Sequence, residues 1–334
     1  MAATIIDVAK KCGYSKATVS RAFASPETVS ERAKKRIYAA ASELNYTPNP
    51  IARAMARQKT DNISFVVHEN QYPAILNPFY SLVLEAIMQE AMKRDYSLFV
   101  TSNDHMRLPT GDAYIKKHMD GVIIAGQTDE AYVTSFLSQN IPVVVLNNLI
   151  EMEGLPCITV DNYHGAKEAA AYLVGRGHRR IGLLAGRLSP RIYGERYQGY
   201  LDALADAGIA PDASIVRDLD ANEKQAEACT KELLKMENRP TALLCTNDTI
   251  AVGAVKAVLR SGLRVPEDIS IIGIDGSSAR KYMDPLLTSV GLFPEKQGAK
   301  CADILLDMLE GKKVKYVSGS PVQLVKGASV RKIR

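Results

Sequence analysis

From residue 61 onward the chain alternates short apolar runs with amphipathic helical stretches, and this alternation restricts its fold more than any other feature. Strand-like runs occur at Ile63–Val67, Leu98–Thr101, Gly121–Ala125, Val143–Leu146, Ile158–Val160, Ile181–Leu184, Ala242–Cys245 and Ile269–Ile274. Helical periodicity falls between them at Phe79–Arg94, His164–Arg176, Tyr193–Ala207, Asn222–Lys235, Ile250–Ser261 and Lys296–Leu309. Strands that alternate with helices pair in parallel, because a parallel crossover needs a connection of about a helix in length. The units are too many for one sheet of ordinary size, so two α/β lobes are expected. A last edge strand is expected near Val322–Val325. The ligand site of such a pair is the cleft at the carboxyl ends of the strands. Those ends carry Asn147–Asn148, Asp161–Asn162, Asn247–Asp248 and Asp275. Asx residues are common in turns, but four such positions at corresponding strand ends point to a hydrogen-bonding cleft for a hydroxyl-rich ligand.

The first sixty residues differ. They hold 11 of the 42 Lys and Arg residues but only 4 of the 37 Asp and Glu residues. The basic excess therefore sits wholly in this segment, and the body is close to neutral. Such asymmetry suits a polyanion-binding module joined to a separate core. Thr4 can cap a helix over Ile5–Cys12, which Gly13 would end. Ser15 can cap a second helix through Ala24, with Val19, Ala22 and Phe23 on one face and Lys16, Ala17, Ser20 and Arg21 on the other. Helix, short Gly-containing turn, helix is the helix-turn-helix arrangement. A third helix, capped by Ser30, is predicted over Glu31–Asn45. The next piece, Asn49-Pro-Ile-Ala-Arg-Ala-Met-Ala-Arg57, is a marginal helix by length: either an ordinary linker helix with Met55 packed on the body, or a helix that folds only when something holds it, with Met55 as an apolar wedge for a DNA minor groove.

TIIDVAKKCGYSKATVSRAF, PETVSERAKKRIYAAASELNYTPNPIARAMA and the later runs VDNYHGAKEAAAYLVGRGHRRIGLLAG, GERYQGYLDAL, TNDTIAVGAVKAVLRSGLRVPEDISIIGID and DPLLTSV resemble the lactose-repressor (LacI/GalR) family of bacterial transcription regulators over nearly the whole chain. The resemblance implies a fold with an N-terminal all-α helix-turn-helix domain, residues 1–48. A hinge helix and linker would follow at 49–61, then a two-lobed core like that of periplasmic sugar-binding proteins at 62–334. Its N-terminal lobe would take about 62–161 and 291–320, and its C-terminal lobe about 162–290 and 321–334. Lys16, Ala17 and Arg21 match the positions that read bases. Thr4, Ser15, Thr18, Ser20, Ser30 and Asn49 match those that grip phosphates, and Ala52 and Met55 lie in the hinge. Met55 stands where the family has a leucine wedge, an apolar but more flexible substitute. Phe79, Tyr80, Asp161, Arg196, Asn247 and Asp275 match cleft positions that face or contact effector.

Two stretches depart from the family pattern. The loop from His68 to Leu76 is long, and Asn103–Lys117 is short. Both should border the cleft, where Tyr72 and Tyr80 can stack on sugar faces. The shortened stretch and the SK-x-TVSR start are similar to maltodextrin regulators, so a saccharide effector, maltose-like, is expected. A purine or sugar phosphate is the alternative within the family, and a carbohydrate-binding protein without a DNA role is the alternative outside it. The expected partners are a pseudo-palindromic double-stranded operator and a second copy of the chain, since no leucine heptad follows Val325 to make a tetramer. The five cysteines lack any C-x-x-C pair, and no stretch reaches the roughly 20 apolar residues of a membrane span. No G-x-x-x-x-G-K-[ST], H-E-x-x-H or G-x-S-x-G motif occurs. A cytoplasmic regulator without cofactor, metal or catalysis is the expectation.

Overall fold

The computed structural model describes residues 3–47, 59–67, 76–102, 119–187, 191–314 and 319–333. The hinge positions Asn49, Ala52 and Met55, the cleft candidate Tyr72 and the segment 103–117 lie outside the described residues.

Three helices form the N-terminal unit: α1 (Ile5–Cys12), α2 (Lys16–Ala24) and α3 (Glu31–Glu43). The Thr4 backbone N–H and hydroxyl both donate to Asp7 Oδ2, at 2.9 and 2.7 Å. Gly13 ends α1 with φ 75°, a conformation that favours glycine. The Ser15 hydroxyl accepts from the Thr18 amide at 3.1 Å, so α2 starts where its sequence says. Val8, Val19, Ala22, Ala33, Ile37 and Ala40 close a small core. Phe23 lies at its edge, against the rings of Tyr38 and Tyr46. The third helix stops at Glu43, two residues short of expectation, where Asn45 turns into the left-handed region at φ 48°.

The rest of the chain builds two sheets. The first contains β1 (Asn62–Val67), β2 (Ser97–Ser102), β3 (Gly121–Ala125), β4 (Val143–Leu146) and β5 (Cys157–Ile158). Its order is β2-β1-β3-β4-β5, all parallel. Helices α4 (Tyr80–Lys93) and α5 (Glu130–Leu137) belong to this half. The second sheet contains β6 (Ile181–Gly186), β7 (Val216–Leu219), β8 (Ala242–Cys245), β9 (Ser270–Asp275), β10 (Thr288–Gly291) and β11 (Gln323–Val325). Its order is β11-β10-β9-β8-β6-β7, with only β11 antiparallel. Helices α6 (Asn162–Gly175), α7 (Arg191–Asp206), α8 (Glu223–Leu234) and α9 (Asp248–Arg260) accompany it. After β10 the chain returns to the first half, where α10 (Pro294–Leu309) packs on α4, β3 and β4. Residues 159–161 and 320 run side by side between the halves, with Ser320 N–H donating to Thr159 O at 2.9 Å. Central strands such as Val143–Leu146 and Ala242–Cys245 are buried at every position, as sheets covered on both faces must be.

Helices α6 and α7 cross at Gly199. A β-carbon there would stand 2.2 Å from the Tyr163 carbonyl oxygen and 2.9 Å from the Lys167 nitrogen. Both obstacles are backbone, so the helices would have to separate. Gly199→Ala is expected to cost about 2 kcal/mol through overpacking. In urea unfolding the midpoint should fall with the slope unchanged.

Candidate DNA-reading face and effector cleft

The second helix of the N-terminal unit is held by its buried Val19 and Ala22, which sets its opposite face outward. Lys16, Ala17 and Arg21 are exposed on that face, with Ser20 and Thr18 half-buried beside them. Neither Lys16 nor Arg21 makes an ion pair among the described residues, whereas Lys11 pairs with Glu43 and Lys34 with Glu31, each at 2.6 Å. The amino termini of α2 and α3 carry exposed hydroxyls at Ser15 and Ser30. Ser30 accepts from Ala33 N at 3.4 Å, a long cap that leaves oxygen lone pairs outward. Free amides at a helix start attract phosphate oxygens. The face therefore offers two exposed cations on a helix, without ion-pair partners among the described residues, and two amide-rich helix starts near them in sequence.

The cleft centres on Arg196, which is only 4% exposed on α7. Its Nε donates to Asn162 Oδ1 at 3.0 Å. Its Nη1 donates to the Thr246 carbonyl and lies 3.7 Å from Asp275 Oδ1. Its Nη2 makes no hydrogen bond among the described residues. Tyr193, one turn earlier, has its ring centre 5.7 Å from the guanidinium. That ring lies flat on Gly186, where a β-carbon would meet it at 2.6 Å. Asn247 caps α9 through Oδ1, accepting from Ile250 N at 2.7 Å, and its Nδ2 donates to the Tyr193 hydroxyl at 3.4 Å.

Asp275 ends β9 at φ 133°, in a region that non-glycine residues rarely adopt. Beneath it lies Asp248, fully buried and well satisfied. Asp248 accepts from Ser289 Oγ at 2.6 Å, Ser277 N at 2.7 Å and Ser277 Oγ at 2.9 Å. Burial pushes both carboxyls above the usual carboxylate range, and Arg196 pulls Asp275 partly back. Tyr80 arrives from the other half, at the start of α4. Asn77 Oδ1 accepts from the amides of Phe79 and Tyr80 at 3.0 and 3.2 Å and fixes that start. The Tyr80 hydroxyl is buried against Asn147 and near Arg196, Tyr193 and Asp275, and this burial raises its pKa. A cavity of about 410 Å³ lies next to this group and shares Asn162 with it; Asn148, Thr159, Asp161, Arg191 and Glu195 also line it, whereas Tyr80, Arg196, Asn247 and Asp275 do not. The arrangement is a fork of donors facing acceptors and aromatic walls between two lobes, suited to gripping a neutral polar ring.

Residues 4–49 match the model for bacterial regulatory proteins of the lacI family, and residues 170–330 match a periplasmic binding protein-like domain. The transcriptional repressor CytR of Escherichia coli (strain K12) is 33% identical over 94% of this chain and 92% of its own length. The repressor PurR of Proteus mirabilis (strain HI4320) is 32% identical over 93% and 92%. The chain belongs to the LacI family. It is a DNA-binding transcriptional repressor and not an enzyme. Among solved structures, the lac repressor dimer bound to operator and the anti-inducer ONPF aligns over 99% of this chain and 100% of that one, with TM-score 0.81 and 27% identity. A complex of the regulator CelR with cellobiose aligns over 98% and 99%, with TM-score 0.72 and 27% identity.

Within this LacI-family chain the structure gathers Tyr80, Arg196, Asn247 and Asp275 around one centre. Arg196 is buried, which excludes the surface ion pair that a helical arginine commonly makes. Asp161 stands apart, half-exposed. It caps α6 through His164 N at 3.0 Å and pairs with His164 Nδ1 at 2.7 Å. Its neighbour Asn162 supplies the contact to Arg196. Phe79 sits behind Tyr80, edge-on at 5.3 Å, inside the hydrophobic core. Tyr193 and Thr246 went unnoticed in the sequence. Tyr193 lies three residues before Arg196 on one helix face, and that spacing was the available signal.

Proposed function

We propose that this repressor acts as a homodimer on a pseudo-palindromic operator and is gated by a saccharide that closes the lobes around Arg196 and Asp275. The observation that carries the effector reading is the buried Arg196 guanidinium, whose Nη2 has no hydrogen-bond partner among the described residues while Asp275 lies 3.7 Å from Nη1. A fork of N–H donors beside a carboxyl acceptor and two tyrosine rings matches vicinal ring hydroxyls with C–H faces. The cellobiose held by CelR supports this class.

In this reading residues 1–48 carry the reading helix, with Lys16, Ala17 and Arg21 on bases and Thr4, Ser15, Thr18, Ser20 and Ser30 on phosphates. Residues 49–61 supply the hinge helix and linker, the hinge helix with Asn49, Ala52 and Met55 entering the minor groove, and residues 62–334 bind ligand and dimerise. Phe79 shapes the wall behind Tyr80, and Tyr72, Asp161 and Asn247 complete the cleft. A second copy covers the apolar edge at Met88 and Met92 of α4 and Phe99 and Val100 of β2, each 42% exposed or more. The lac repressor dimer on its operator supports this arrangement. No helix among the described residues is long and apolar enough to cross a membrane.

A thermal-shift panel of maltose, cellobiose, ribose, sugar phosphates, nucleosides and purine bases tests the effector class. Ligand at 100 times Kd stabilises by about 2.7 kcal/mol. A sugar is expected to raise Tm by several degrees and to change retention of a palindromic duplex in a gel shift. A shift with purine bases alone would overturn the saccharide reading, and equal binding to random duplex would overturn the operator reading.

A further inference from the structure

At the far end of the first sheet from Arg196, the chain enters the core through side-chain hydrogen bonds to one carboxylate that the sheet itself does not require. Asp120 Oδ1 accepts from Thr60 N at 2.7 Å and from Thr60 Oγ1 at 2.9 Å. Its Oδ2 accepts from Asp61 N at 2.8 Å. The Asp120 amide donates to Asn62 O at 2.7 Å, and the Ser97 amide donates to Asp61 O at 2.8 Å. The Lys59 ammonium lies 4.7 Å from the Tyr96 ring centre and 3.3 Å from Asp61 Oδ1. Residues 59–61 are thereby fastened to the residues that open β2 and β3. The Ser97–Asp61 bond opens the ladder of β1, which runs on from Asn62 opposite Ser97 and Ile63 opposite Gly121. Both carboxylate oxygens of Asp120 are thus spent on the stretch before the strand.

That stretch is where the DNA-binding unit joins the core. The six residues of β1 span roughly 20 Å, with this attachment at one end and the cleft side of the sheet at the other. We propose that Asp120 is a positioning residue for regulation: it locks Thr60 and Asp61 to the N-terminal lobe, so that lobe movement reaches the DNA-binding unit instead of being absorbed as slack. The proposal rests on the dimeric operator reading above. Each residue freed adds up to about 3.5 Å of reach, so releasing two loosens each head by roughly the length of two base-pair steps. Half-site spacing is a geometric requirement, and a slack tether lowers the effective concentration of the second head at its half-site.

The test uses the full chain as wild type, Asp120→Asn and Asp120→Ala, with a palindromic duplex selected from random DNA by the wild type and a duplex carrying one half of it. Asp120→Ala is expected to bind the palindrome at least tenfold more weakly while half-site affinity stays within twofold. Asp120→Asn, which keeps an acceptor for Thr60 and loses the one for Asp61, is expected to fall between. A residue with only a structural role would lower both affinities together. An unchanged ratio of palindrome to half-site affinity in the variants overturns the proposal, and if Asp120→Ala does not fold, Asp120→Asn decides. A wild type without preference for the palindrome overturns the dimeric operator reading and this proposal with it.

Discussion

Arg196→Ala is expected to abolish the response to effector and to weaken the folded core. The substitution removes the cation beside Asp275 and leaves Asn162 Oδ1 and the Thr246 carbonyl without their donor. Leaving a buried acceptor without its donor costs about 1–3 kcal/mol, and Asp275, whose carboxyl already sits above the usual range beside Arg196, holds its proton more firmly once the cation is gone. Effector affinity should fall at least 100-fold, about 2.8 kcal/mol at 1.4 kcal/mol per decade. Operator binding without ligand should survive, since the reading helix is untouched. Arg196→Lys should not restore the response, because an ammonium cannot reproduce the planar fork. The pH dependence separates the electrostatic role from packing. Asp275 has its pKa raised in the folded state, above the unfolded value of about 3.9. The native state then holds the extra proton, so stability is greatest below that unfolded value and is lost as pH rises through the raised one. Arg196→Ala should carry this loss to higher pH. Asp275→Asn should flatten it to the share left by Asp248, whose carboxyl is also raised. Tm profiles between about pH 5 and 9 report this, and parallel profiles for all three proteins would refute the assigned electrostatics.

Lys16→Ala and Arg21→Ala are expected to change which operator is preferred. Both side chains stand on the exposed face of α2, without ion-pair partners among the described residues. A lost bidentate contact to a base costs about 1–3 kcal/mol at its own position. In vitro selection with each variant should therefore relax the preference at one or two symmetry-related positions and keep the rest. Ser30→Ala should behave differently. Its hydroxyl caps α3 and faces outward, so all duplexes should weaken alike, with about 1 kcal/mol lost from the small helical domain itself. Ala17 offers only a methyl group, which can meet a thymine methyl or leave space. An unaltered selected site in Lys16→Ala would place the reading face elsewhere.

Much of the architecture is legible along the chain because it is periodic. Runs such as Val143–Leu146 must be buried on both faces, and helices such as Lys16–Ala24 announce their start with a capping serine. Three elements escape such reading. In β7 the sequence is Val-Arg-Asp-Leu at a sheet edge, and in β10 it is Thr-Ser-Val-Gly, short and small. In α5, β-branched and aromatic residues (Tyr132, Val133, Thr134, Phe136) mask a helix that Asp129 caps through Tyr132 N at 2.7 Å. Each is stabilised by its neighbours more than by its own propensity.

The sequence by itself determined the separation of a basic three-helix unit from a two-sheet α/β body, the outward charges of α2 and the polar strand ends. These follow from local rules: periodicity, capping and the divided charge. Only the tertiary structure decided which strand-end residue turns inward. At residues 161 and 162 the aspartate caps the helix and the asparagine reaches Arg196. At residues 247 and 248 the asparagine faces Tyr193 and the aspartate is sealed among serines. Adjacent residues at a helix start point in different directions, and which of them meets Arg196 depends on how the helices cross, with Gly199 letting α6 and α7 approach closely. The fastening of Thr60 and Asp61 by Asp120 likewise joins positions some sixty residues apart, which no local pattern reports.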